Sequence, residues 1–187
     1  MQIVSGGHFD GALCIASEAG RTLHVEIQHS RTITCLAQSA RGDWLITGSA
    51  DTTVIIWYLR TDLLTGGANV RPLRFVRALR GHVRELTAVA LAVDLGLAAS
   101  GAADGCVLLH ATRDGSLLRS IAHPDTLPVG HLQISSLHGR VVLGSSAAGT
   151  AALHVFSLSG VRLFACELLG GVRCATLSPD GALLLAG

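Results

Sequence analysis

Thr47-Gly48-Ser49-Ala50-Asp51-Thr52-Thr53-Val54-Ile55-Ile56-Trp57 and Ser100-Gly101-Ala102-Ala103-Asp104-Gly105-Cys106-Val107-Leu108-Leu109-His110 are two copies of one pattern. In each, a hydroxyl residue stands four places before an aspartate, a glycine three before it, and a ring six after it. The match extends upstream, where His29 and His82 each precede their aspartate by 22 residues. Self-similarity at fixed spacing signals a repeat architecture, and it decides a fold before local propensity does.

Weaker copies flank the pair. Gly7-His8-Phe9-Asp10 repeats the glycine–aspartate step, and Ala12-Leu13-Cys14-Ile15 follows it. His123 opens a further unit that reaches Leu153-His154-Val155-Phe156, with Phe156 read at the ring position and Thr150 in place of the aspartate. Leu177-Ser178-Pro179-Asp180-Gly181 matches the middle of one more unit. Asp10 to Asp51 is 41 residues and Asp51 to Asp104 is 53. The excess, about 12 residues, marks an inserted loop over 61–72, where Gly66-Gly67 and Pro72 break any regular element.

Between these markers the chain reads as short strands. Val54–Trp57, Ala88–Leu91, Val107–Leu109 and Arg140–Leu143 are brief apolar runs bounded by Gly, Asp, Ser or Pro. Four such runs in each unit of about 40–45 residues describe a propeller blade, whose two apolar faces are covered only by its neighbours. The expected fold is therefore all-β: a partial β-propeller of four-stranded blades spanning 1–187, with about four blades present and the array incomplete at both ends.

The marker residues suit a structural network. Asp51 and Asp104 fall in tight turns, where a carboxylate accepts backbone N–H groups and a ring N–H from the preceding histidine. His29 and His82, Thr47 and Ser100, and the Trp57 indole complete a buried hydrogen-bonded tetrad that stiffens each blade. Histidine, aspartate and a hydroxyl also suggest a hydrolytic triad, but a catalytic set has no reason to recur at fixed spacing. With His110 at the tryptophan position and Thr150 at the aspartate position, the later blades are expected to have weaker networks.

Gly81-His82, Thr47 to Asp51 and Leu177 to Gly181 resemble WD repeats. More narrowly, Ser5-Gly6-Gly7-His8-Phe9-Asp10, Asp51-Thr52-Thr53-Val54-Ile55-Ile56-Trp57, Arg113-Asp114-Gly115, His123-Pro124 and His138 to Leu143 resemble, in order, the C-terminal WD-repeat region of BEACH-domain proteins of the neurobeachin group. The resemblance covers essentially the whole chain. It implies a non-enzymatic interaction scaffold in vesicle trafficking and membrane-protein sorting, with protein partners and an adjacent BEACH domain in a longer chain. It also implies a cytoplasmic location, peripheral on endomembranes, with membranes contacted only indirectly. The alternative is a generic WD-repeat adaptor subunit of another cytoplasmic complex.

Composition sets the remaining bounds. The 187 residues are 49% hydrophobic and 14% charged, with net charge +1, which disfavours a globally basic nucleic-acid binder. All 14 cations are arginine, so a P-loop lysine, a Schiff-base lysine and a kinase lysine are absent. Mean hydropathy is +0.50, but the longest uncharged run, Val141–Val161, is broken by Gly, Ser and His and reads as strands. Five cysteines without a CxxC pair read as buried free thiols of a reducing compartment.

Arg71, Arg74, Arg77, Arg80 and Arg84 are the most uneven charge, and Arg74, Arg77, Arg80 and Arg84 form a candidate partner-binding set. The plainer reading is a charged edge strand that blocks edge pairing. With Phe75 the sole aromatic among them, they do not read as a nucleic-acid surface. Nine dispersed histidines show no metal-ligand spacing, so neither a metal nor a cofactor is expected. Gly144 to Gly149 approaches a G-x-S-x-G elbow, but Ala148 stands where the second glycine belongs, and it reads as a loose turn. A propeller hydrolase would need carboxylates or histidines clustered at the channel, and the scattered acids give it little support.

Overall fold

A computed structural model describes residues 2–8, 10–60, 72–123, 126–147, 150–169, 175–178 and 183–187. Those residues form antiparallel sheets that follow one another along the chain. The first holds β1 (Gln2–Ser5), β2 (Ala12–Ser17) and β3 (Thr22–Ile27). The second is a four-stranded meander of β4 (Ile33–Gln38), β5 (Trp44–Ser49), β6 (Val54–Leu59) and β7 (Leu73–Leu79). The third repeats it with β8 (Leu86–Ala92), β9 (Leu97–Ala102), β10 (Cys106–Ala111) and β11 (Leu117–Ala122). The fourth has β12 (Val129–Ser135), β13 (Arg140–Ala147), β14 (Thr150–Ser157) and β15 (Arg162–Leu169). The pair β16 (Ala175–Leu177) and β17 (Leu184–Ala186) follows. This is the all-β, partial-propeller architecture expected from the repeats.

Burial patterns give each strand its place. The middle strands β5, β6, β9 and β10 are buried on both faces, so Val54-Ile55-Ile56-Trp57 runs apolar without alternation. Each is sandwiched between the sheets before and after it. The first strand of each sheet packs beside the first strand of the next, β4 on β8, β8 on β12 and β12 on β16. These strands line an open groove of about 870 Å³ whose walls include Cys35, Ala37, Thr87, Val89, His131 and Gln133. The last strands lie at the rim, where β11 leaves Leu117 and Leu118 exposed.

The core lies between sheets. Leu13, Ile15, Leu45, Ile55 and Trp57 join the first to the second; Ile46, Val54, Ile56, Leu79 and Leu86 join the second to the third. Ala99, Val107, Leu109, Val129, Leu143 and Phe156 join the third to the fourth. The repeated glycine has its reason here. A Cβ on Gly48 would stand 3.0 Å from Leu86 Cβ, and one on Gly101 would stand 2.6 Å from Val129 Cγ1. In both, the first residue of the next sheet's inner strand lies against bare backbone.

Two expectations change. Gly144 to Ala147 is part of β13 and pairs with β14, so these residues are strand and not a loose turn; 148–149 lie outside the described residues. Cys14, Cys35, Cys106 and Cys166 are free but half-buried rather than buried. The proposed insertion at 61–72 falls, apart from Pro72, outside the described residues.

Candidate functional site

The β5–β6 turn is built by its own side chains. Asp51 Oδ1 accepts the Thr53 N–H at 2.9 Å and the Thr53 hydroxyl. Its Oδ2 accepts the Ser30 N–H at 2.8 Å and faces His29 Nδ1 at 3.2 Å. His29 Nε2 lies 2.8 Å from Thr47 Oγ1, and the Trp57 indole donates to that same oxygen at 2.9 Å. The donor inventory fixes the protons. An ionised carboxylate only accepts, so His29 Nδ1 carries the proton facing Asp51; Nε2 of the neutral ring then accepts from the Thr47 hydroxyl, which itself accepts from the indole.

Electrostatics agree with a neutral ring beside a carboxylate. Burial pushes the His29 pKa down against the opposing pull of Asp51. Burial works to raise the Asp51 carboxyl, but hydrogen bonds from Thr53 and Ser30 and the field of His29 outweigh it and hold it below its ordinary range. The Thr47 hydroxyl, which a triad would use as nucleophile, is fully buried and already accepts the indole. This set fixes a turn and the connection before β4; it presents no nucleophile to a substrate.

The second copy is only partly assembled. His82 Nε2 lies 2.8 Å from Ser100 Oγ, and Asp104 accepts the Cys106 N–H at 3.0 Å. The expected His82–Asp104 hydrogen bond is absent, and His82 Nδ1 is buried without a partner. His110 does not reach Ser100 as Trp57 reaches Thr47; its shorter ring instead donates from Nε2 to the Arg80 carbonyl at 3.2 Å.

In the fourth sheet the register keeps the ring position. Thr47 pairs with Leu36 and Ile55, Ser100 with Val89 and Leu108, and Leu143 with Leu132 and His154. Phe156, two residues beyond His154 and beside the same bulge as Trp57 and His110, therefore holds the Trp57 position, while a leucine stands where Thr47 and Ser100 supply a hydroxyl. His154 takes the place of Ile55, its ring 4.8 Å from that of His123. Gly144 pairs with Leu153 where Gly48 pairs with Val54, so this hairpin is longer than the other two, and Thr150 opens β14 opposite Ala147.

The arginines do not form one patch. Arg74 lies exposed on β7, while Arg80 and Arg84 lie exposed on the β7–β8 connection beside Val83, which is 80% exposed. Arg77 is engaged, its guanidinium donating to the Asp114 carbonyl at 2.8 Å and the Arg113 carbonyl at 3.1 Å. It thereby fastens β7 to the β10–β11 turn of the next sheet. Arg71 falls outside the described residues.

Sequence reasoning missed Arg77's role, the double use of Thr53, and Thr34, whose hydroxyl donates to the Leu86 carbonyl at 2.6 Å and so ties β4 to β8. The one available signal was the doubled Asp-x-[hydroxyl] step, Asp51–Thr53 and Asp114–Ser116, which marks a self-capped turn. Among the described residues no group of three histidine, cysteine or acidic side chains is placed to hold a metal ion, and no helix is long and apolar enough to cross a membrane.

Comparison with known proteins places this architecture. The neurobeachin beta propeller domain family matches residues 2–187. BEACH domain-containing protein B of Arabidopsis thaliana is 30% identical over 98% of this chain, which spans 8% of that protein. Putative neurobeachin homologs of Caenorhabditis elegans and Caenorhabditis briggsae are 26% and 28% identical over 92% of the chain, which spans 7% of each. The chain thus corresponds to under a tenth of the length of these relatives. With the repeated turns, the stacked sheets and a match from Gln2 to Gly187, this chain belongs to the neurobeachin beta propeller domain family.

Proposed function

We propose that the chain is a non-enzymatic protein-interaction platform within a longer BEACH-type protein, working in vesicle trafficking and membrane-protein sorting on the cytoplasmic side of endomembranes. The observation that carries this reading is how the polar groups are used. The buried ones, His29, Thr47, Asp51 and Trp57, satisfy one another and hold a turn, whereas the side chains of Arg80, Val83 and Arg84 are exposed on the β7–β8 connection. Loops on a rigid scaffold vary without disturbing its core, which suits them to recognition. Arg80 and Arg84, with Arg74 on the neighbouring strand, are the proposed contacts for an acidic protein partner. His29, Thr47, Asp51, Trp57, His82, Ser100 and Asp104 are proposed as structural residues behind them. The inserted loop over 61–72 is proposed as a second specificity element.

The test uses the full-length protein in cells lacking it. Arg80→Glu with Arg84→Glu is expected to leave the melting temperature unchanged, remove a subset of co-purifying proteins and impair delivery of membrane cargo. Unchanged partners and unchanged cargo delivery would overturn the reading.

A further inference from the structure

The third sheet carries a histidine, His110, where the second carries Trp57, and the exchange alters the chemistry of the site. A carbonyl only accepts, so the bond to Arg80 places the His110 proton on Nε2 and leaves Nδ1 as a bare lone pair, buried and unpartnered. His82 also has a buried, unpartnered Nδ1. His82 is 9% exposed and His110 2%. In the second sheet the corresponding Nδ1, that of His29, faces Asp51 and Thr53. A proton added to His82 or His110 would gain an N–H with no acceptor in a closed interior, which is costly.

The surroundings give little relief. Asp104, from the β9–β10 turn, favours charge on His82, while His110 opposes it. The Arg80 carbonyl and the Ser100 hydroxyl are the dipoles in contact. Ala98 stands across from His110 on β9, and the second sheet contributes Val54, Ile56 and Leu79 to the same core, none of them charged. Arg80, Arg84 and Glu85 on the connection are exposed.

We propose that His82 and His110 form an acid-sensitive latch: protonation of these imidazoles releases the β7–β8 connection, which His110 holds through the Arg80 carbonyl, while the β1–β3 sheet stays closed. The direction follows from linkage. Burial pushes both pKa values below the ordinary 6.5, with Asp104 pulling His82 back only in part. An opened connection therefore takes up protons that the closed one refuses, and opening is favoured as pH falls below about 6.5. The connection released carries Arg80, Val83 and Arg84, so exposure of this rim becomes dependent on pH.

Hydrogen exchange of the full-length protein at pH 7.5 and 5.5, corrected for intrinsic rates, tests this. Protection over 80–111 is expected to fall about tenfold for each imidazole that titrates, and protection over 12–27, the β2–β3 hairpin, to hold. His110→Gln, which keeps a donor for the Arg80 carbonyl but cannot titrate, should reduce the pH response to the roughly tenfold change that His82 alone supplies. Parallel loss in both segments, or an unchanged response in His110→Gln, overturns the latch. If that variant does not fold, proton titration of the two rings decides: ordinary values near 6.5 refute the proposal, depressed values sustain it.

Discussion

Gly101→Ala is the sharpest test of how the sheets stack. The added Cβ would lie 2.6 Å from Val129 Cγ1, 2.7 Å from its Cβ and 3.2 Å from its Cγ2. Carbon atoms settle at about 3.5–4.0 Å, so the overlap approaches 1 Å. Val129 has no room to turn aside, because it is 0% exposed and presents all three of these carbons. Overpacking of this kind costs about 1–3 kcal/mol, which in a chain of this size lowers the melting temperature by roughly 2–12 °C. Gly130→Ala provides the control. Its Cβ would meet only the Gly144 carbonyl at 3.6 Å, and Thr34 and Thr87 occupy the corresponding bulge positions of β4 and β8. Losing glycine's freedom in the unfolded chain should make that variant neutral or about 0.4–1 kcal/mol more stable. Urea unfolding of both variants, read by tryptophan fluorescence, is the assay. Equal effects would show that the close approach of β12 to β9 does not hold the sheets, and the stacking argument would fail. Val129→Ala in the Gly101→Ala background should cost less than Val129→Ala alone, a coupling of about 0.5 kcal/mol or more.

Thr47→Val should lower stability by about 2–5 kcal/mol, since it leaves His29 Nε2 and the Trp57 indole buried without partners; denaturant midpoints will show it. Arg77→Ala should cost about 1–2 kcal/mol and increase hydrogen exchange in the β10–β11 turn, whereas a change confined to β7 would mean that the clamp does not couple the sheets. Thr52 holds a left-handed φ of 71° where the sister turns have Gly11 at 72° and Gly105 at 78°. Thr52→Gly should therefore leave stability unchanged or raise it by up to about 1 kcal/mol in thermal melts, as relief of the strained φ offsets glycine's entropy.

Much of this architecture was legible before any coordinates. The 22-residue step from His29 to Asp51 and the ten-residue step from Thr47 to Trp57 survive as spatial contacts because they run along paired strands of fixed rise and through a turn of fixed length. The Asp51 turn was readable for the same reason, since its hydrogen bonds are local. Spacing failed where a hairpin changed length: Phe156 keeps the ring position, but the longer β13–β14 hairpin puts Thr150 at the head of β14, opposite Ala147, rather than in a turn like that of Asp51. It failed again where ring size mattered, for His110 at the tryptophan position turns to the Arg80 carbonyl and leaves Ser100 to His82.

The sequence alone determined the repeat, the strand class, the turn aspartates and the family resemblance, because each is written in residues close together or at a constant interval. Tertiary structure decided the rest. Which sheet face meets which, that Leu86 and Val129 press on bare glycine, that Arg77 is bound to the next turn while Arg80 and Arg84 are free to project, and that two imidazoles lie buried with unpartnered nitrogens all depend on contacts between blades. Those contacts join residues at distances along the chain that no periodicity encodes, and they exist only once neighbouring sheets have stacked.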